Sequence, residues 1–131
     1  MPTPAEILSE TRTIALVGAS PNPARPSHSV MRHLLGRGYR VLPVRPGRSE
    51  VLGVPCVPSL RDLDEPVDLV DVFRRADACP AIAEDAVAIG AKALWLQLGI
   101  VSPEARAIAE AAGLDYVENA CTAIVDRTLP G

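Results

Sequence analysis

Thr13-Ile14-Ala15-Leu16-Val17-Gly18-Ala19-Ser20 is the stretch on which the reading of this chain turns. Ile14 to Val17 is a continuous apolar run that stops at a glycine. A strand with one solvated face would alternate; an unbroken run bounded by a turn predicts a strand buried on both faces. Upstream, Thr3 to Arg12 sets Ile7 and Leu8 among polar residues, which predicts a short helix packed on the body. Downstream, Ser20 to Ser27 reads as a loop carrying Pro21, Pro23 and Pro26. Ser27 is placed to cap a helix in which Val30, Met31, Leu34 and Leu35 share one face, with Gly36 and Gly38 ending it. Arg40-Val41-Leu42-Pro43-Val44 predicts a second strand, closed by the turn Arg45-Pro46-Gly47-Arg48.

The same grammar continues. Val51 to Val57 predicts a short excursion with a minor strand, and Ser59 to Leu63 a single helical turn. Val67 to Phe73 reads as a strand. Asp77 is placed to cap the next helix, with Pro80 tolerated in its first turn, Ile82, Ala86 and Ile89 as the buried stripe and Gly90 as the stop. Ala93-Leu94-Trp95-Leu96-Gln97-Leu98 reads as the next strand. Ser102-Pro103-Glu104 combines cap, proline and acid at a helix start, Gly113 ends that helix, Leu114 to Val117 is the last strand, and Asn119 to Thr128 closes the chain. Strands separated by helices imply an α/β fold with a mainly parallel sheet of five or six strands and right-handed crossovers. In such sheets ligands bind beyond the carboxyl ends of the strands, near the switch in strand order. Those ends are Gly18-Ala19-Ser20, Val44-Arg45-Pro46, Phe73-Arg74-Arg75, Gln97-Leu98-Gly99 and Glu118-Asn119.

At 131 residues the expectation is a single domain over residues 1–131. Hydrophobic residues make up 48% with only one Trp, two Tyr and one Phe, so the core must come from Val, Leu, Ile and Ala, as a helix-covered parallel sheet requires. A net charge of −3 with Lys92 as the sole lysine argues against a nucleic-acid partner, which needs a broad basic face. No apolar run approaches the roughly 20 residues of a membrane span, and no basic start precedes an apolar segment, so a cytoplasmic protein away from membranes is expected. Cys56, Cys79 and Cys121 lack C-x-x-C spacing and read as reduced thiols, with no disulfide frame or metal site.

Charge is unevenly distributed. Between Glu10 and Glu50 lie Arg12, Arg25, Arg32, Arg37, Arg40, Arg45 and Arg48, and no acid. This is the first βαβ unit, whose turns meet the phosphates in nucleotide-binding α/β folds. Gly18-Ala19-Ser20 keeps only the first glycine of a G-x-G-x-x-G fingerprint. It still offers close backbone approach at Gly18, a hydroxyl at Ser20 and the free N–H groups of the next helix. An NAD site would put an Asp or Glu at the end of the second strand, where this chain has Arg45 and Arg48. Arginine there suits a ribose phosphate, leaving NADP or coenzyme A, which carries a 3′-phosphate.

Val17-Gly18-Ala19-Ser20, then Arg25 and Ser27, Gly38-Tyr39-Arg40-Val41, and Pro43-Val44-x-Pro46 together resemble the small stand-alone CoA-binding proteins, themselves similar to the N-terminal domain of the succinyl-CoA synthetase alpha subunit. The match runs on through Gly53, Ser59-Leu60, Val67-Asp68, Val72-Phe73, Trp95-Leu96-Gln97-Leu98-Gly99 and Cys121, about residues 12 to 128. The resemblance implies a Rossmann-like three-layer fold and coenzyme A or an acyl-CoA as ligand. It places Gly18, Ala19 and Ser20 along the pyrophosphate, with Arg25 approaching from the loop beside Ser27. It sets Val44, Pro46 and Arg48 at the adenosine and 3′-phosphate, Phe73 and Arg74 on the adenine side, and Leu96, Gln97 and Gly99 along the pantetheine. Arg45 departs from the asparagine usual before that proline.

In the synthetase, chemistry needs a second domain and a partner subunit. Here no Ser-His-Asp set, glutamate pair or metal cluster assembles from the sequence, so a non-catalytic binding module is expected. His28 is placed to meet a phosphate, and His33 reads as a solvated surface residue. Cys121 reads as a small buried residue and Trp95 as core. Arg74-Arg75 are candidates to pair with Asp71 or Asp77. Asp62, Asp64, Glu65 and Asp68 read as a solvated edge, with Asp68 or Asp71 able to orient an arginine. The competing readings are an NADP-binding reductase-like protein and an interaction protein with a vestigial nucleotide site; a protein partner is compatible with any of them.

Overall fold

The computed structural model describes residues 2–47 and 49–130. Five strands, β1 (Thr13–Val17), β2 (Arg40–Val44), β5 (Leu69–Val72), β6 (Ala93–Leu96) and β7 (Asp115–Val117), form one parallel sheet in the order β2-β1-β5-β6-β7. A separate antiparallel pair, β3 (Glu50–Val51) and β4 (Val54–Pro55), fills the excursion after β2, where the sequence reading expected one minor strand.

Strand period puts alternate residues on opposite faces, and each face buries its own core. Ala15, Val17, Val70, Val72, Leu94 and Leu96 pack under α3 (Cys79–Ala88) and α4 (Pro103–Ala111), with Cys79, Ile82, Ala83, Ala86, Ala105 and Ala109. Ile14, Leu16, Leu69 and Trp95 pack on the other face, with Met31 and Leu34 of α2 (Pro26–Gly36), Ile7 and Leu8 of α1 (Pro4–Ser9), and Ala123 of α5 (Thr122–Asp126). The result is the three-layer Rossmann-like arrangement. Trp95 is fully buried, and its indole N–H donates to the Ala120 carbonyl at 2.8 Å.

Caps follow local chemistry with two exceptions. Thr3 and Glu6 form a reciprocal capping box on α1, and Ser102 accepts from the Ala105 N–H at the start of α4. Ser27 does not cap α2. Pro26 starts the helix one residue earlier, Arg25 takes the cap position without a side-chain bond, and Ser27 is buried in the first turn. Asp77 does not cap α3 either. It lies within a short 3₁₀ turn, Ala76–Ala78, that precedes the helix, exposed and 3.6 Å from the Arg75 guanidinium.

Within the closing segment Asn119 to Thr128, to which the sequence assigns no element, Thr122–Asp126 forms the helix α5 and packs back on the sheet. Asp126, fully buried, anchors it. The carboxylate accepts from Tyr39 Oη at 2.7 Å and Arg37 Nε at 2.8 Å, and pairs with His33 Nε2 at 2.7 Å. His33 is therefore a part-buried member of this network, not the solvated residue expected from its place off the apolar stripe. Burial alone would raise the Asp126 pKa, but bonds from Tyr39, His33 and Arg37 outweigh it and hold the carboxyl below its ordinary range. Among the described residues no helix is long and apolar enough to cross a membrane.

Candidate functional site

From β1 the chain first crosses to β2 at the sheet edge, then returns to the other side of β1 as β5. The switch in strand order thus lies between β1 and β5, and the residues just past those strands are Gly18 and Phe73. Gly18 has φ 88, and its N–H donates to the Val44 carbonyl at 3.0 Å while the Phe73 N–H donates to Val17 at 2.8 Å. A Cβ on Gly18 would stand 2.6 Å from the Phe73 carbonyl oxygen. The glycine is required by the left-handed backbone and by Phe73, before any ligand is considered.

Two hollows open at this edge. The larger, about 490 Å³, lies over the side of α2 and is walled by Gly18, Ser20, Arg25, Pro26, Ser27, Val30, Phe73, Gln97, Leu98, Ile100 and Cys121. The smaller, about 130 Å³, lies on the α3 side between β1 and β2 and is walled by Val17, Val44, Arg45, Pro46, Pro58, Ser59, Leu60, Arg74, Ile82 and Asp85. The sequence-selected residues divide cleanly. Gly18, Ser20, Arg25, Ser27, Phe73 and Gln97 meet in the first, and Val44, Arg45, Pro46 and Arg74 in the second. Arg48 lies outside the described residues. Ala19 and Leu96 are buried in opposite cores, so only their backbone is available to a ligand. Gly99 is exposed, its N–H donating to Asn119 Oδ1 at 2.8 Å, and it walls neither hollow.

Local turns aim the polar groups. Ser20 Oγ accepts from the Asn22 N–H at 3.1 Å and Asn22 Oδ1 accepts from Ala24 at 3.0 Å, which folds the proline loop over the α2 N-terminus. The Ser20 hydroxyl hydrogen stays available. The N-terminal N–H groups of α2 have no side-chain cap, so the positive end of the helix faces the larger hollow's rim. Among the described residues Arg25, Arg45 and Arg74 form no ion pair, unlike Arg37, Arg40, Arg61, Arg75 and Arg106. Three guanidiniums without an acidic partner thus stand at one sheet edge, with their donors uncommitted.

Several side chains went elsewhere than expected. His28 is buried and walls neither hollow. Asp68 accepts from the backbone N–H of Arg12 and Thr13, both at 3.0 Å, and pairs with Lys92 at 3.3 Å, so it orients no guanidinium. Nor does Asp71. It is fully buried on the α5 side of the sheet, accepting from Gln97 Nε2 at 2.5 Å and Thr122 Oγ1 at 3.0 Å. Glu65 lies on the exposed edge as expected and there holds Arg40 through two surface hydrogen bonds. Cys121 is half-buried, packed against the core on the α2 side and also on the larger hollow's wall. Leu98 stands at a strand end already named from the sequence, whereas Ile100 and Asp85, which also wall the hollows, carry no local signal that marks them.

A parallel sheet whose switch point opens into an arginine-flanked double hollow defines an α/β domain with its candidate site at the carboxyl edge of the strands. The comparisons sharpen that class. The model of the CoA binding domain matches residues 12–127, and the chain belongs to that family. It is 39% identical over 116 residues to the uncharacterized protein YneT of Bacillus subtilis (strain 168), covering 88% of this chain and 86% of that one. A hypothetical protein from Pyrococcus horikoshii OT3 superposes with a TM-score of 0.93 at 41% identity, covering 98% of this chain and 90% of the other. An ADP-forming acetate–CoA ligase of Archaeoglobus fulgidus is 32% identical over 80 residues, 61% of this chain but 12% of the ligase.

Proposed function

We propose that this chain is a single-domain, non-catalytic module that binds coenzyme A or an acyl-CoA across the two hollows. The observation that carries the reading is the division of unpaired charge. Arg25 stands by the capless start of α2 in one hollow, and Arg45 and Arg74 stand together in the other. The ligand's diphosphate lies over Gly18, Ser20 and Arg25. Its adenosine and 3′-phosphate lie in the smaller hollow against Val44, Pro46, Arg45 and Arg74. The pantetheine runs into the larger one, where Val30, Phe73, Leu98 and Ile100 offer apolar walls and Gln97 and Cys121 stand at its reach. Membership of the CoA-binding family and likeness to one segment of an acetate–CoA ligase support the ligand class.

Isothermal calorimetry on the purified chain tests the reading. CoA binds with micromolar or tighter affinity, 3′-dephospho-CoA binds more weakly, and NADPH gives no comparable heat. Equal affinity for CoA and its 3′-dephospho form would remove the role given to Arg45 and Arg74, and heat from NADPH alone would replace the ligand.

A further inference from the structure

Gln97 sits at the carboxyl end of β6, 4% exposed, at the inner wall of the larger hollow. Its amide nitrogen donates inward twice, to Asp71 Oδ1 at 2.5 Å and to Thr122 Oγ1 at 2.9 Å. Thr122 is committed as well, because its hydroxyl donates to Asp71 Oδ2 at 3.0 Å. Once ionised, the Asp71 carboxylate only accepts, and the closed triangle then has one consistent direction: the nitrogen of Gln97, not its oxygen, faces Asp71. Oε1 is then the polar atom left for the hollow. Among the described residues no buried side-chain nitrogen or oxygen lacks a partner, which fits an Oε1 that meets the hollow instead of a sealed core.

We propose that Gln97, held by Asp71 and Thr122, fixes a hydrogen-bond acceptor at the inner end of the larger hollow and thereby selects a coenzyme A thiol over an acyl thioester. The inference rests on the CoA reading and on the pantetheine end occupying this hollow. A thiol S–H donates to Oε1. A thioester brings a carbonyl instead, and two carbonyl oxygens face each other with no hydrogen between them. Turning the amide over would mend that contact, but would point Oε1 at a carboxylate and lose both inward bonds. Gln97 is thus the residue that meets the ligand, and Asp71 and Thr122 are positioning residues. Burial pushes the Asp71 carboxyl up to about 7, so the selection is tested above that range.

The test compares three ligands on the intact chain by calorimetry at pH 8.5: CoA, acetyl-CoA, and S-ethyl-CoA, which matches the acetyl group in size but has neither S–H nor carbonyl. The wild type binds CoA best and acetyl-CoA at least fivefold more weakly than S-ethyl-CoA. In Asp71→Asn the neutral amide can donate to Gln97 Oε1 and release its N–H groups to the hollow, so the acetyl-to-ethyl ratio closes to within twofold or reverses. Thr122→Val removes one of the two anchors and shrinks the ratio partway, which keeps the test alive should Asp71→Asn not fold. A wild type that binds acetyl-CoA and S-ethyl-CoA alike, or folded variants that keep the wild-type ratio, would overturn the inference while leaving CoA binding intact. Absence of binding by all three ligands would remove the CoA reading and the inference together.

Discussion

A single backbone position fixes the geometry of the cleft. Gly18 combines φ 88 with a would-be Cβ 2.6 Å from the Phe73 carbonyl. Any L side chain there carries about 1–3 kcal/mol of backbone strain, and the clash with the β5 exit adds to it. Gly18→Ala should lower the denaturant midpoint as well as weaken CoA. A variant with native stability and no binding would show that the glycine serves only the ligand. Asp71 is the other position with a large consequence. Burial raises its folded pKa to about 7 from an ordinary 3.8. The unfolded chain therefore releases this proton at lower pH than the folded one, and the group's contribution falls as pH climbs from about 4 to about 7, then levels. Chemical denaturation of wild type and Asp71→Asn across that range should show the variant gaining relative stability with rising pH. A flat difference would contradict a raised carboxyl.

At the level of elements, α5 shows how a short helix is held. Five residues cannot be helical by propensity alone. Asp126 ties α5 to the end of α2 and the start of β2 through His33, Arg37 and Tyr39. Removing the shared acceptor strands an arginine, a tyrosine and a histidine, so Asp126→Ala should cost about 3 kcal/mol or more. Because this carboxyl is held below its ordinary range, its contribution is present above that range and lost as pH falls through its folded value. Amide hydrogen exchange in Thr122–Asp126 should accelerate in the variant. Protection equal to wild type would mean that apolar packing of Ala123 and Val125 suffices. The helix also supplies Thr122 to the triangle under the larger hollow, so one element braces both the back of the sheet and the floor of the site.

For the whole molecule, net charge and local field have opposite signs. The chain carries −3 overall, yet Arg25, Arg45 and Arg74 stand unpaired at one sheet edge among the described residues. On the proposed function a polyphosphate ligand would meet that local field, so raising the salt from about 50 to about 500 mM should weaken CoA binding severalfold. Arg74→Ala should lower affinity by about 1.5–3 kcal/mol, the worth of a charge-assisted bond, with the melting temperature unmoved because the side chain is exposed. Salt-independent affinity would mean that apolar contacts of the pantetheine dominate.

The strand pattern was legible because buried parallel strands are unbroken apolar runs. Ile14–Val17 and Ala93–Leu96 announce themselves, Leu69–Val72 is interrupted only by the buried Asp71, and β2 carries a similar apolar character. With glycines and caps between them they define an α/β sheet and the edge where a ligand sits. The acid-free arginine segment raises the expectation of a phosphate-bearing ligand, but among its described residues only Arg25 and Arg45 wall the two hollows, while Arg37 and Arg40 pair with Asp126 and Glu65. Tertiary structure decided what depends on partners distant in sequence. His33 and Asp126 lie 93 residues apart and Asp71 and Thr122 lie 51 apart, and no local periodicity encodes either pairing. The split of the selected residues between two hollows and the amide direction of Gln97 are settled the same way. Hydrophobic order along a chain is a local quantity, whereas hydrogen-bond partnership in a core exists only once the layers have closed.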